Sequence, residues 1–307
     1  MRVVRFAAGR PAEVVRAPEP MPGPGQILVR TEAVGVGIGL VRMLASAAEG
    51  GEPVRPGGEI VGTVTALGAG VTGFQVGDRV GGVVFQDAFA DLVVADPRLV
   101  AQVPAGVDAA AALVLVRGGL LALGALRAGD FRPGQSVLVT AAASGTGHVA
   151  VQLARALGAS RVAGAVGSAE KAGFVRECGA DEVVTYAQPA WGDPVDVVLD
   201  GVGGELVQRG VDTLAPYGRL VAFSAGGGSV DAGSLLGGSR AVIGFTVGQL
   251  HRTRPELVER HRAELWELLA AGRLRPRHTG LPLDQITTAV DLVTTRANLG
   301  RVVLHTT

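Results

Sequence analysis

Two short segments of this 307-residue chain have residue types and spacing that could do chemistry. The first is Ala141-Ala-Ala-Ser-Gly-Thr-Gly147, in which nothing is larger than threonine. A backbone so bare can cross close to a ligand and present its amides to it. A helix beginning at its end would aim unpaired N–H groups and its positive pole at an anion such as a pyrophosphate. The second segment, residues 163–171, reads Ala-Gly-Ala-Val-Gly-Ser-Ala-Glu-Lys. Dinucleotide sites that prefer an unphosphorylated ribose usually carry an acid at the end of the second strand. No acid stands at that point here, and a hydroxyl, Ser168, and an ammonium, Lys171, lie just beyond it. This suits a 2′-phosphate, so NADPH is expected rather than NADH. Lys171 is the single lysine among 28 basic side chains, which invites a functional reading of its retention.

The elements that must position these segments are legible from periodicity. Residues 137–140 form a short β-branched and apolar run, and Val149, Leu153 and Leu157 then fall on one helical face. Strand, turn and helix alternate from about residue 111 to 250, with strands expected at 137–140, 161–166, 182–185, 195–199, 219–223 and 241–247. Six strands with intervening helices imply a doubly wound parallel sheet, an α/β Rossmann domain. Residues 1–110 alternate Val-rich runs (26–31, 60–67, 79–85, 90–95) with Gly and Pro punctuation, the pattern of a domain of many short strands. An amphipathic helix is expected at 256–271 on Leu257, Leu265, Leu268 and Leu269, with Gly272 as its stop. Residues 281–304 then return to the first domain. The expected domains are 1–110 with 251–307, and 111–250.

These segments resemble the zinc-independent branch of the medium-chain dehydrogenase/reductase superfamily, the quinone oxidoreductase and prostaglandin reductase group. Residues 141–147 look like its AAxGGVG loop and residues 164–171 like its GAVGSxEK segment. Asp200-Gly-Val-Gly-Gly-Glu205 looks like its D-x-VGGE motif, and Asn298-Leu-Gly-Arg-Val-Val-Leu304 like its closing strand. The resemblance implies a discontinuous GroES-like β-barrel as the first, catalytic domain. It also implies cofactor contacts from Ser144, Gly145, Thr146 and Gly147 in the loop, and from Gly164, Ser168, Lys171 and Tyr186 around the 2′-phosphate. Val202, Phe223, Ser224, Phe245 and Val247 would follow the later strands, and Asn298 and Arg301 would return to the cofactor. Arg42, Gln86, Asp87 and Arg117 lie in segments that border the cleft in relatives and are candidates for a polar substrate.

Alcohol dehydrogenases of the superfamily hold zinc with a Cys and a His where this chain has Gly37 and Gly58. The only cysteine is Cys178, and His148, His251, His261, His278 and His305 show no ligand spacing, so no metal is expected. Without one, the hydride acceptor must already be electrophilic, as an enone or a quinone is. An enoyl thioester of polyketide type, or no turnover at all in an NADPH-binding protein, are the other readings. No side chain is assigned as proton donor; water or a ribose hydroxyl would serve.

Zero formal net charge gives no reason to expect nucleic acid or an anionic membrane as partner. The apolar stretch 109–126 is interrupted by Arg117 and three glycines, so a buried segment is expected rather than a membrane span. The N-terminus does not have the pattern of a secretory signal, and one cysteine permits a cytoplasmic location. A homodimer is expected through the apolar edge at 241–247, because the family pairs its last Rossmann strands.

Overall fold

The computed structural model describes residues 1–7, 11–47, 54–224 and 226–306. The chain divides into two units, Met1–Arg117 with Arg277–Thr307, and Gly118–Pro276.

The first unit opens with an antiparallel ribbon, β1 (Arg2–Arg5) and β2 (Glu13–Arg16). It continues with β3 (Ile27–Val36), α1 (Ile38–Ser46), β4 (Gly58–Leu67), β5 (Arg79–Val84), β6 (Leu92–Ala95), β7 (Val100–Gln102) and α2 (Ala109–Leu113). A π-helical turn, Val114–Gly119, follows α2 directly and carries the chain into the second unit.

The second unit contains α3 (Leu120–Ala128), β8 (Ser136–Val139), α4 (Gly147–Ala156), β9 (Arg161–Val166), α5 (Ala172–Glu177), β10 (Glu182–Thr185) and β11 (Val195–Asp200). After these come α6 (Leu206–Asp212), β12 (Leu214–Ala222), α7 (Ala232–Gly238), β13 (Ala241–Gly244), α8 (Val247–Thr253) and α9 (Pro255–Ala270). The chain then re-enters the first unit as β14 (His278–Pro282), α10 (Ile286–Thr294) and β15 (Arg301–His305).

The second unit's sheet has the order β10-β9-β8-β11-β12-β13, every pair parallel. Its central strands, Val137-Leu-Val139 and Val197-Val-Leu199, are fully buried, as strands covered on both faces must be. The order reverses at β8, so the loops after β8 and β11 lie side by side at the strands' carboxyl ends. That is where doubly wound folds bind ligands.

The first unit is built on a sheet ordered β14-β15-β3-β4-β5-β7, with β6 pairing β3. Ile27, Val29, Val34, Ile60 and Val80 fill its core with Phe6 and Phe89, whose rings meet edge to face at 5.3 Å.

The unit boundaries fall at 117 and 276, not at 110 and 250. Residues 109–117 stay with the first unit because α2 packs on β3, β4 and β5; residues 251–276 stay with the second because α8 and α9 pack on α3. Strand β3 runs five residues past the expected end, because Ala33 to Val36 pair with β15, a partner far along the chain. Strand β13 stops at Gly244, since the Thr246 hydroxyl accepts from the Gln249 N–H and starts α8. Helix α9 buries Val258, Arg262, Leu265 and Leu268 rather than the Leu257 side. Among the described residues one helical run, Ala109–Ala128, is long and apolar enough to cross a membrane, and most of it is buried in the protein.

Candidate functional site

In the second unit the loop after β8 is shaped by its own polar groups. Ala141 adopts φ 47°, and its N–H donates to the Tyr186 hydroxyl at 2.8 Å. Ser144 N–H returns to the Ala141 carbonyl, while the Ser144 hydroxyl accepts from Gly147 N–H at 3.0 Å and so starts α4. Gly147 is a glycine for packing: a Cβ there would lie 2.0 Å from the Ala141 carbonyl oxygen. Gly118 runs beside the loop, its absent Cβ 3.4 Å from the Gly145 carbonyl oxygen. His148, next in the helix, is fully buried, with Nδ1 donating to the Ser144 carbonyl at 2.8 Å. It is a structural residue of the first turn.

Asp200 ties this loop to the one after β11. Its Oδ1 accepts from the Thr140 hydroxyl at 2.8 Å and its Oδ2 from Gly203 N–H at 2.9 Å, and Thr140 Oγ1 accepts from Gly201 N–H. The Ser224 hydroxyl donates to the Val202 carbonyl, joining the loop after β12 to the same corner. Phe223 lies against Gly201, and Phe245 against Gly124 of α3, whose missing side chain makes room for the ring. Gly164 likewise serves packing: its Cβ would press on Val175 and Ala142.

Beyond β9, Ser168 and Lys171 bracket a 3₁₀ turn, Ala169–Lys171, and Tyr186 follows β10 with its ring edge beside Gly167. Tyr186 is held in place. Its carbonyl accepts from Arg209, whose guanidinium lies 4.6 Å over the Trp191 ring, and Trp191 in turn neighbours the Tyr186 ring. Sequence reading missed Trp191 and Arg209, which carry no motif. The structure thus gathers the residues at 140–147, 200–203 and 223–224, and sets Ser168, Lys171 and Tyr186 at the ends of the neighbouring strands. These fit a dinucleotide: loop amides and a helix N-terminus for a pyrophosphate, a lysine and hydroxyls for a 2′-phosphate.

The first unit holds a second constellation. Glu59, on β4, is buried between two arginines, with Oε1 accepting from Arg117 Nη1 at 2.8 Å and Oε2 from Arg301 Nη2. Burial alone would raise the Glu59 carboxyl, but the charges of Arg301 and Arg117 outweigh it and hold the group below the usual carboxylate range. The Arg301 guanidinium fills space that glycines leave open: a Cβ at Gly37 would lie 2.7 Å from its Nη1, and one at Gly35 2.6 Å from its Nη2. Gly37 is therefore the condition for Arg301's position. Arg301, expected to reach the cofactor, has its guanidinium engaged by Glu59, and the Asn298 side chain donates to the Gly300 carbonyl. Asp87, with φ 52°, pairs with Arg55 in an exposed bridge, while Arg42 and Gln86 are exposed. Among the described residues no group of three or more His, Cys, Asp and Glu gathers to hold a metal.

Residues 23–105 match the alcohol dehydrogenase GroES-like domain family, and residues 145–262 the zinc-binding dehydrogenase family. Prostaglandin reductase-3 of Bos taurus is 32% identical over 94% of this chain and 83% of its own length. The quinone oxidoreductase of Thermus thermophilus, solved also in complex with NADPH, is 31% identical, with a TM-score of 0.82 over 99% of this chain and all of that one. Phthioceranic/hydroxyphthioceranic acid synthase of Mycobacterium tuberculosis is 32% identical over 92% of this chain, which spans 14% of that synthase's length. The chain belongs to the medium-chain dehydrogenase/reductase superfamily, in its quinone oxidoreductase and prostaglandin reductase group.

Proposed function

We propose that this protein is an NADPH-dependent, metal-independent reductase of an activated C=C bond, as in an enone, or of a quinone. The carrying observation is the end of β9, which carries no acid and is followed by Ser168 and Lys171, with Tyr186 just after the neighbouring β10. The prostaglandin reductase and quinone oxidoreductase relatives, one of the latter solved with NADPH, support the same reading.

NADPH, when bound, supplies the hydride. The chain's residues bind and orient: the loop at 144–147 takes the pyrophosphate, Ser168, Lys171 and Tyr186 the 2′-phosphate, and Val202, Phe223, Ser224, Phe245 and Val247 line the later strand ends. Gly37 and Gly58 offer no side-chain ligand, so the acceptor must be electrophilic by its own conjugation. Oxidation of NADPH, followed by absorbance against a panel of quinones, enones and enoyl thioesters, tests this. Turnover of the first two classes is expected. Turnover of enoyl thioesters alone would favour the synthase-like alternative, which the M. tuberculosis relative motivates. Tight NADPH binding with no turnover of any acceptor would leave a non-catalytic binding protein.

The setting that we propose is the cytoplasm, as a homodimer. Strand β13 is the sheet's outer edge and Val242 on it is exposed, a liability that pairing with a second copy would remove. Light scattering should give twice 31.1 kDa. A monomer at micromolar concentration would refute the dimer.

A further inference from the structure

Between β10 and β11 the chain spans residues 186–194 without a helix, although a parallel crossover usually carries one. Trp191 takes the helix's place. Its ring, 2% exposed, joins the core formed by Leu138 of β8 and Ala163 and Ala165 of β9. The indole in turn offers its face to Arg209 of α6, whose guanidinium carbon lies 4.6 Å from the ring centroid, the arrangement in which an aromatic quadrupole holds a cation.

The company that Arg209 keeps differs from that of other arginines in this unit. The partly buried Arg155, Arg161 and Arg219 each face a carboxylate. Among the described residues no carboxylate pairs with Arg209. Its Nη1 donates to the Tyr186 carbonyl, and its Nη2 is buried without a hydrogen-bond partner. Withdrawing a cation from water without an anion is costly, so the fold keeps here a positive charge that a nearby anion would offset.

The position of that charge selects the anion. Tyr186 N–H donates at 2.9 Å to the carbonyl of Val166, the last residue of β9, and the Tyr186 ring lies against Gly167, the residue before Ser168. Two hydrogen bonds and one residue therefore separate the guanidinium from the end of β9, a span of under about 10 Å, the Debye length at 0.1 M salt. A 2′-phosphate held by Ser168 and Lys171 carries roughly one and a half to two negative charges at neutral pH. Lys171 supplies one positive charge, and Glu170 stands next to it in the turn.

We infer that Arg209 is a specificity-determining residue for NADPH, which supplies the second positive charge toward the 2′-phosphate, and that Trp191 positions it. This rests on the NADPH reading above. Because Nη2 is buried, the guanidinium acts through its field rather than by touching the phosphate, and a unit charge at such a distance in partly solvated surroundings is worth roughly three- to tenfold in affinity.

Arg209→Gln removes the charge and keeps a donor for the Tyr186 carbonyl. In calorimetric titrations it should bind NADPH and adenosine 2′,5′-bisphosphate roughly three- to tenfold more weakly, and NADH and AMP as the parent protein does. Arg209→Lys should return most of the difference. Arg209→Met repeats the charge removal should the melting temperature show that glutamine disturbs the fold. Equal losses for all four nucleotides, or neutral and Lys variants that behave alike, would mean that Arg209 only braces Tyr186, and overturn the inference. A parent protein that binds NADH as tightly as NADPH would remove the cofactor reading first, and this inference with it.

Discussion

Glu59→Ala should lower stability by about 3–5 kcal/mol, the scale for removing one partner of a buried ion cluster, and the melting temperature by about 10 °C. The largest part comes from Arg301. Its guanidinium is enclosed by β3, β4 and β15 in the space left by Gly35 and Gly37, and without the carboxylate its charge has no compensation there. Arg117 contributes less, because its exposed side chain can turn to water. The same ion cluster gives the parent protein a pH dependence of known sign. The Glu59 pKa is lower folded than unfolded, so its contribution is present above about pH 4 and is lost as pH falls through the depressed folded value. Calorimetry on parent and variant at neutral and acidic pH measures both effects. Equal melting temperatures at neutral pH would mean that Glu59 is not the centre of the cluster.

Lys171→Ala should weaken NADPH roughly ten- to a hundredfold and leave NADH nearly unchanged, the scale of one charge-assisted contact. The reason is local. No acid stands at the end of β9 itself, where one would hold a bare ribose diol, and Lys171, next to Glu170 in the turn that follows, supplies the positive charge that a 2′-phosphate needs. Tyr186 is fixed nearby through Ala141 and Arg209, so the substitution should not disturb the loop after β8. Fluorescence titration with both nucleotides decides it, and parallel losses for the two would count against the assignment.

What the sequence disclosed was whatever is local. The run Val137-Leu-Val139, the small-residue turn and the Val149, Leu153 periodicity belong to one strand, turn and helix, and the structure has them there. Strand β9 and Lys171 were equally visible. The rest was hidden because it depends on partners distant in sequence. Glu59 and Arg301 stand 242 positions apart, and nothing near either announces the other. Gly37 could be read as a lost ligand position, but not as the vacancy that an arginine from β15 fills. Thr140 and Asp200 meet only because β8 and β11 are adjacent. The boundaries at 117 and 276 depend on which helices pack on which sheet, a tertiary fact that periodicity cannot carry.

The pairing of β15 with β3 sets an order on how the molecule can be made. All residues of the second unit exist once Pro276 has been synthesised, so that unit has its full set of internal partners while later residues are still being added. The first unit does not. Its strand β3 is translated early and must wait for residues 301–305, with a complete sheet already inserted in the intervening chain. Closing so long a loop costs little entropy when the intervening chain is already compact, whereas closing it through unfolded chain is slow. The late-made strand therefore makes completion of the early-made unit contingent on its guest having folded, and an exposed β3 edge is the vulnerable surface of the nascent protein.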